Sequence, residues 1–192
     1  MNKTLITAVL CFSGVFSFAQ KQEIIKDYNQ SLVSYDDFKN LTSEVEKHRA
    51  DRLVDLNTFL RMSKEENVVI LDTRSTFRYN LKHIQGAIHL SFTDFTQQSL
   101  NELIPDPNTK ILIYCNNNFE GDQLNFASKI AIPNKNNENQ ESTTKTTMLA
   151  LNVPTYINLY GYGYRNIYEL DELVNINDPR IIFEGIEVND RK

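Results

Sequence analysis

The sequence lacks three features that would each indicate a class of partner or cross-link. Lysine and arginine number 20 among 192 residues, form no dense cluster and leave a formal net charge of −5, so we expect no nucleic-acid interface and no polybasic membrane patch. The apolar run from Leu5 to Phe18 is shorter than the about 20 residues that a membrane-spanning helix needs. Only two cysteines, Cys11 and Cys115, are present.

An apolar content of 41% suits one core of ordinary size, and no internal repeat is found.

Residues 1–19 are typical of a secretory signal peptide. Lys3 supplies the positive start, an apolar segment follows, and Ser17 and Ala19 stand where a small-residue cleavage site requires them. We therefore expect cleavage after Ala19 and an exported protein, periplasmic or secreted, with no stable membrane anchor after cleavage. Cleavage would also remove Cys11, so no intramolecular disulfide is expected. An unpaired cysteine is commonly a buried small apolar residue, so the position of Cys115 must decide its role.

Short apolar runs that alternate with helical patterns predict an α/β fold. Helices are indicated at 34–49, after an Asp55 cap, at 92–104, at 122–132 and from Asn152, with Pro154 in its first turn. Strands are indicated at 52–55, 68–71, 87–90, 110–114 and 166–170. This alternation favours a mostly parallel sheet with helices on both faces.

The chain divides by composition into several parts. After the signal peptide we expect an N-terminal helical extension at 20–50, one domain at 51–176 and a C-terminal tail at 177–192, whose apolar patch 181–183 packs back as a short strand or an extended segment. Residues 134–147 contain no apolar side chain and predict a flexible insertion in the domain. The insertion is either a lid over a site near Cys115 or a tolerated surface loop.

Cys115 stands where a nucleophile is expected in such a fold. It directly follows the apolar strand at 110–114 and precedes the polar loop 116–121 and a helical pattern. Ligands bind at the carboxyl ends of strands in open parallel sheets. Successive backbone N–H groups can converge on a thiol there, and the end of a helix favours the thiolate. The position indicates nucleophilic sulfur chemistry, although a cysteine that ends a buried strand also serves packing alone.

Three motifs, in this order, resemble those of the rhodanese-like domain family. Residues 68–90 are similar, without a gap, to a strand ending in Asp-x-Arg, then an aromatic residue, then Gly-His-Ile-x-Gly-Ala. Residues 111–115 are similar to the strand that leads to the active cysteine, and residues 163–170 resemble the closing strand. The matching positions of the first motif are Asp72, Arg74, Tyr79, His83, Ile84, Gly86 and Ala87. The resemblance implies a five-stranded parallel sheet with helices on both sides and a persulfide-carrying cysteine at Cys115.

The resemblance also implies structural roles for several polar residues. Asp72 and Arg74 would hold the fold below the site, and His83 would be a structural residue rather than a metal ligand. His89 is interpreted in the same way. Gly86 would permit the tight turn into the strand at Ala87. We expect neither a metal nor a cofactor.

The loop departs from the family pattern in its charge. Its residues are Asn116, Asn117, Asn118, Phe119, Glu120 and Gly121. Family members that move sulfur usually carry an arginine or a lysine there, because substrates such as thiosulfate are anions. Here Glu120 and the nearby Asp122 would instead raise the pKa of the thiol. Arg78 stands where the family commonly has a glutamate, so that residue's usual pairing with Arg74 is lost.

Two functions remain open from the sequence. In the first, Cys115 of a sulfurtransferase takes sulfur from a small donor or a protein persulfide, holds it in the loop Cys115–Gly121 and passes it to a thiol acceptor. A neutral or protein-borne persulfide would suit the loop better than thiosulfate. In the second, the protein is a catalytically weak or inactive binding or regulatory module. A cysteine phosphatase would need an arginine at the sixth residue after the cysteine, which is Gly121.

Overall fold

The computed structural model describes residues 28–132 and 146–189. The expected signal peptide, nearly all of the insertion 134–147 and the last residues of the tail lie outside this range. From Ser34 onward the described residues form one compact unit. Within the described ranges, no helix combines the length and the apolar character needed to cross a membrane.

Short strands and helices alternate along the described chain. The helices are α1 (Tyr35–Ala50), α2 (Leu56–Met62), α3 (Thr76–Leu81), α4 (Gln97–Leu103), α5 (Asn152–Gly161) and α6 (Ile186–Asn189). The strands are β1 (Leu53–Val54), β2 (Val68–Asp72), β3 (His83–Ile84), β4 (Ala87–His89), β5 (Lys110–Tyr114), β6 (Phe119–Glu120), β7 (Ile130–Ala131), β8 (Thr147–Met148), β9 (Ile167–Leu170), β10 (Val174–Asn175) and β11 (Phe183–Glu184).

Five parallel strands form the central sheet, in the order β1-β9-β5-β2-β4. The central strand β5 contributes apolar side chains to both faces of the sheet, because successive side chains of a strand point to opposite sides. Ile111 and Ile113 pack in one apolar cluster, whereas Leu112 and Tyr114 pack in the other. The predicted sheet, buried on both faces, is confirmed.

Helices cover both faces of the sheet. Val45 of α1, Leu100 of α4 and Tyr156 of α5 are buried in the cluster on one face, and Leu56 and Phe59 of α2 are buried in the cluster on the other. Full burial of such side chains stabilises the fold by about 1.5–3 kcal/mol each. Because both faces are covered, β2 and β5 carry continuous apolar runs at 68–71 and 111–114, as parallel strands usually do.

Three helical segments differ from the sequence prediction. The predicted helix 92–104 is interrupted, because Thr96 takes an extended conformation and its side chain accepts the Ser99 N–H as the cap of α4. The predicted helix 122–132 is wrong: the Asp122 side chain accepts the N–H of Asn125 at 3.1 Å, which replaces helical bonds by a local turn. Strand β7 follows and pairs antiparallel with β8. Helix α3, capped by Ser75, was missed.

The tail returns to the body of the molecule beside the first motif. Strand β11 pairs antiparallel with β3, close to the apolar patch for which a short strand was expected. Between β3 and β4, Gly86 has a φ of +77°. Since side-chain-bearing residues rarely adopt this conformation, the tight turn requires glycine.

A buried ion pair lies at the end of β2. The Arg74 Nη2 donates to Asp72 Oδ2 at 2.6 Å, and its Nη1 donates to the carbonyl of Asn125 at 3.1 Å. The Tyr114 hydroxyl donates to the same Asp72 oxygen at 2.5 Å. Both charged side chains are buried. The pair therefore joins β2, β5 and the turn after the cysteine loop.

Replacing Arg74 by alanine is expected to lower the free energy of unfolding by about 3–5 kcal/mol, because the Asp72 carboxylate would remain buried without its counter-charge. Arg61→Ala is the control, since that side chain is 65% exposed, and its effect should stay within about 0.5 kcal/mol. Urea unfolding measures both changes. Equal, small losses for the two variants would contradict a stabilising role for the pair.

Candidate active site

Cys115 lies at the carboxyl end of β5, in the middle of the sheet. Its side chain is 0% exposed. The sulfur accepts the backbone N–H of Leu151, just before α5, at 3.4 Å. The thiol therefore faces the start of a helix from the edge of the sheet at which ligands bind in this class of fold.

Asn118 fixes the shape of the loop. Its Oδ1 accepts the N–H of Cys115 at 2.9 Å and the Nδ2 of Asn152 at 3.0 Å. Its own Nδ2 donates to the carbonyl of Leu170 at 2.7 Å. Because both the oxygen and the nitrogen of this buried amide are hydrogen-bonded, Asn118 holds the loop against β9 and α5.

The two other asparagines have different surroundings. The Asn117 Oδ1 accepts the backbone N–H of Lys129 at 2.7 Å, so this side chain connects the loop to the segment before β7. Asn116 is buried, and its Oδ1 has no hydrogen-bond partner among the described residues. Only Asn116 of the three lines the cavity described below.

The second half of the loop turns away from the thiol. Strand β6 pairs parallel with β10, and the buried Phe119 ring packs 4.5 Å from the Phe126 ring, centroid to centroid. Glu120 is exposed. Gly121 has a φ of +90°, which favours glycine. Residues 119–121 therefore build a small second sheet, whereas residues 116–118 surround Cys115.

Burial raises the pKa of the Cys115 thiol above its ordinary value. The backbone N–H groups of Leu151 and Asn116 act in the opposite direction, and the charges of Asp72 and Arg74 oppose one another. Of the loop acids that the sequence suggested as the cause, Glu120 is exposed and Asp122 is paired with Lys82 at 3.1 Å. From the sequence, the balance between these acids and the opposing backbone N–H groups was open; in the structure burial is the main cause of the raised pKa.

A cavity of about 320 Å³ lies beside the cysteine loop, with Thr73, Asn116 and Leu151 in its wall. Cys115 itself is buried behind these residues and does not line it. Arg78 and Lys129 also line it, and none of the described lining residues is acidic. Sequence reasoning noticed Arg78 only as a departure from the family pattern. It missed Lys129, which fell inside the wrongly predicted helix 122–132.

The two histidines of the first motif are held by internal contacts. The His83 ring stacks on Tyr79 with a centroid distance of 3.8 Å, and its Nδ1 lies 2.7 Å from the Tyr79 carbonyl oxygen. The Nε2 of His89 lies 2.9 Å from the Arg74 carbonyl oxygen. Within the described ranges, no group of three or more potential ligands is placed to hold a metal ion.

Comparison with known proteins identifies the family. Residues 55–172 match the model of the Rhodanese-like domain, which is more than half of the chain. The chain belongs to the rhodanese-like domain family. The match includes Cys115 and its loop, so the thiol described above lies within the rhodanese-like region.

Solved structures similar to this chain share little sequence with it. "Rhodanese with anions from E. coli" has 16% identity and a TM-score of 0.36, covering 62% of this chain and 99% of the other. The Alr3790 protein from Anabaena sp. has 19% identity and a TM-score of 0.39, and the match covers 70% of this chain and 83% of the other. The polysulfide-sulfur transferase homodimer from Wolinella succinogenes has 10% identity and a TM-score of 0.34, and the match covers 73% of this chain and 91% of the other. No curated protein matches the chain.

The raised pKa predicts how the thiol reacts with pH. Alkylation of Cys115 by iodoacetamide should speed up with rising pH over a range above about 8.5, the ordinary value for cysteine, because burial favours the protonated form. Mass spectrometry of the Cys115 peptide measures the rate, with the urea-unfolded chain as control. A midpoint at or below that of the unfolded chain would contradict the assigned effect of burial.

Asn118→Ala should destabilise the loop by about 1–3 kcal/mol, since it leaves buried backbone groups without partners. The thiol should also react faster with a small neutral reagent at constant pH, because the loop would open more often. Asn101→Ala, at an exposed position of α4, is the matched control. An alkylation rate equal to that of the control would argue against the loop-holding role.

Proposed function

We propose that this rhodanese-like protein is a sulfurtransferase that carries sulfur as a persulfide on Cys115. The supporting observation is the place of the thiol: it directly follows the central strand, accepts the backbone N–H of Leu151 and lies beside Asn116 and Leu151, which line a cavity. The bound sulfur would extend into that cavity, between Asn116 and Leu151. A small sulfur donor or a protein persulfide would load the site, and a thiol acceptor would unload it.

The proposed reaction balances without an added oxidant or reductant. The Cys115 thiolate attacks the outer sulfur of the donor and forms a new S–S bond, while the donor's own S–S bond breaks and the leaving group keeps the electron pair. The acceptor thiolate then attacks the outer sulfur of the persulfide, and the Cys115 thiolate leaves. The proton that Cys115 loses before the first step passes to solvent or to the leaving group.

A second candidate function is a binding module without turnover. The observation that favours it is the complete burial of the sulfur together with the raised pKa of its thiol, since a protonated and covered thiol is a poor nucleophile. The exposed face of the cysteine loop would then serve as a contact surface. The two candidates differ in whether Cys115 ever carries an additional sulfur.

We also propose that the protein works outside the cytoplasm. The support is the sequence of residues 1–19, with its positive start, apolar segment and small-residue cleavage site. In that compartment a single thiol held away from solvent would be protected from adventitious oxidation. Sequencing of the amino terminus of the protein recovered from its native host would test cleavage after Ala19.

Treatment of the protein with sulfane-sulfur donors should add the mass of one sulfur atom to the Cys115 peptide. The panel contains thiosulfate, inorganic polysulfide and a neutral organic trisulfide, and intact-peptide mass spectrometry reads the product. A thiol acceptor should then remove the added mass.

Cys115→Ala is the control for this experiment and should gain no mass with any donor. If the unmodified protein also gains none from the whole panel, the sulfurtransferase proposal fails and the binding module is favoured. An adduct that no thiol can remove would contradict a carrier role as well.

A further inference from the structure

A second cavity, of about 450 Å³, lies beside the carboxyl end of β9. Its wall includes Arg49 of α1, Asn118 of the cysteine loop, Asn152 of α5 and residues 169–173. We propose that this β9 cavity binds a small organic cation with a short apolar stem, and that the bound cation holds the cysteine loop in the conformation that buries Cys115. The inference does not depend on the sulfurtransfer proposed above.

The β9 cavity is separate from the cavity that contains Arg78 and Lys129. No described residue lines both. The cavity with Arg78 lies on the β2 side of the central strand, with Thr73 in its wall, whereas β9 is the neighbour of β5 on the other side. The volume of the β9 cavity falls within the range of about 300–1,000 Å³ that is typical of small-molecule sites.

The wall of the β9 cavity carries a net negative charge. Three carboxylates line it, those of Glu169, Asp171 and Glu172. Arg49, the only cation among the described wall residues, donates two hydrogen bonds to Glu169, at 2.6 and 2.8 Å. Glu172 accepts a hydrogen bond from Arg180 at 3.1 Å, whereas Asp171 forms no ion pair with another described residue. The cavity therefore attracts a cation and repels an anion.

A buried amide in the same wall has an oxygen without a partner. Asn152 is 7% exposed, and its Oδ1 has no hydrogen-bond partner among the described residues. The orientation of the amide is fixed, because Asn118 Oδ1 accepts the N–H of Cys115 and can pair only with the Nδ2 of Asn152, at 3.0 Å. A buried acceptor without a partner usually marks the place of a bound ligand or water. Since a carbonyl oxygen only accepts, that ligand must carry a hydrogen-bond donor.

The remaining wall suits an apolar stem. Met148, Val153 and Leu173 line the cavity and are exposed. An alkyl chain that covers them would remove apolar surface from water. An alkylammonium or alkylguanidinium ion combines such a stem with a positive charge and N–H donors, which the carboxylates and the Asn152 oxygen require. An alkyl carboxylate has the wrong charge, and a hydrated metal ion has no stem.

Asn118 connects the β9 cavity to the thiol. Its Oδ1 accepts hydrogen bonds from both Asn152 and Cys115, and its Nδ2 donates to the carbonyl of Leu170 at 2.7 Å. A cation that donates to Asn152 Oδ1 restrains this amide in the orientation that binds Asn118. The cation therefore binds the loop that buries Cys115 better than an opened loop, and its binding makes opening rarer.

Binding is tested with three probes that share an alkyl stem and differ in charge. The isotope-labelled full chain is titrated with n-pentylamine, n-pentanol and pentanoate at neutral pH and constant ionic strength. Because the amine is protonated at this pH, we expect saturable shifts of backbone NMR signals with n-pentylamine alone. Asp171→Asn should weaken its binding by about tenfold, the loss of one charge-assisted contact. Asp36→Asn, at an exposed position in the first turn of α1, should leave the affinity unchanged.

Three results would overturn the assigned cation site: no binding of n-pentylamine, equal binding of the three probes, or equal weakening by both substitutions. A fourth probe, Nα-acetyl-lysine methylamide, separates a free amine from the side chain of a partner protein. Tighter binding of this probe than of n-pentylamine would assign the cavity to a lysine side chain and overturn its assignment to a small molecule.

Alkylation of Cys115 tests the connection to the thiol. At an n-pentylamine concentration of about ten times its dissociation constant, reaction with iodoacetamide should slow by about tenfold, because opening of the loop requires release of the cation. Mass spectrometry of the Cys115 peptide measures the rate, with N-acetylcysteine in the same solution as control for the reagent. In Asn118→Ala, n-pentylamine should leave the rate unchanged, since the connection is removed. An unchanged rate in the unmodified protein, or equal slowing in Asn118→Ala, would overturn the control of the loop by the cation.

Discussion

The carboxylate of Asp72 is the constraint on which the site depends. It is fully buried and receives the guanidinium of Arg74 and the hydroxyl of Tyr114. Since Tyr114 immediately precedes Cys115, the same carboxylate that neutralises a buried cation also fixes the end of the central strand. A buried charge without its partners is costly, so the three groups are stable only together. The ion pair thus acts on the position of the thiol through Tyr114, the residue before it.

Much of the fold could be predicted because it rests on local patterns. Alternating apolar residues marked the strands of the sheet, and Ser34 and Asp55 marked the starts of α1 and α2. The errors arose where side chains compete with the backbone for hydrogen bonds. Asp122 and its neighbours satisfy a turn instead of a helix, and Thr96 restarts a helix that periodicity alone would have continued. Such competition is decided by tertiary contacts that a single sequence does not contain.

The site was harder to predict than the fold, because its parts come from distant segments. The apolar strand at 110–114 predicted the place of Cys115. The sequence did not predict the hydrogen-bond partners of the three asparagines. Asn118 contacts Leu170 and Asn152, whereas Asn117 contacts Lys129. The three consecutive asparagines were expected to surround the bound sulfur together. In the structure each side chain has different surroundings. No pattern in the sequence associates Lys129 with Arg78.

This separation changes how the charge of the loop should be interpreted. A cation inside a cysteine loop performs two tasks, since it stabilises the thiolate and attracts an anionic donor. In this chain burial has the largest effect on the pKa of the Cys115 thiol, backbone N–H groups oppose it, and the charges of Asp72 and Arg74 oppose one another. The cations Arg78 and Lys129 line the adjoining cavity instead. The positive charge of the cavity wall and the groups that set the pKa of the Cys115 thiol therefore belong to different segments of the chain.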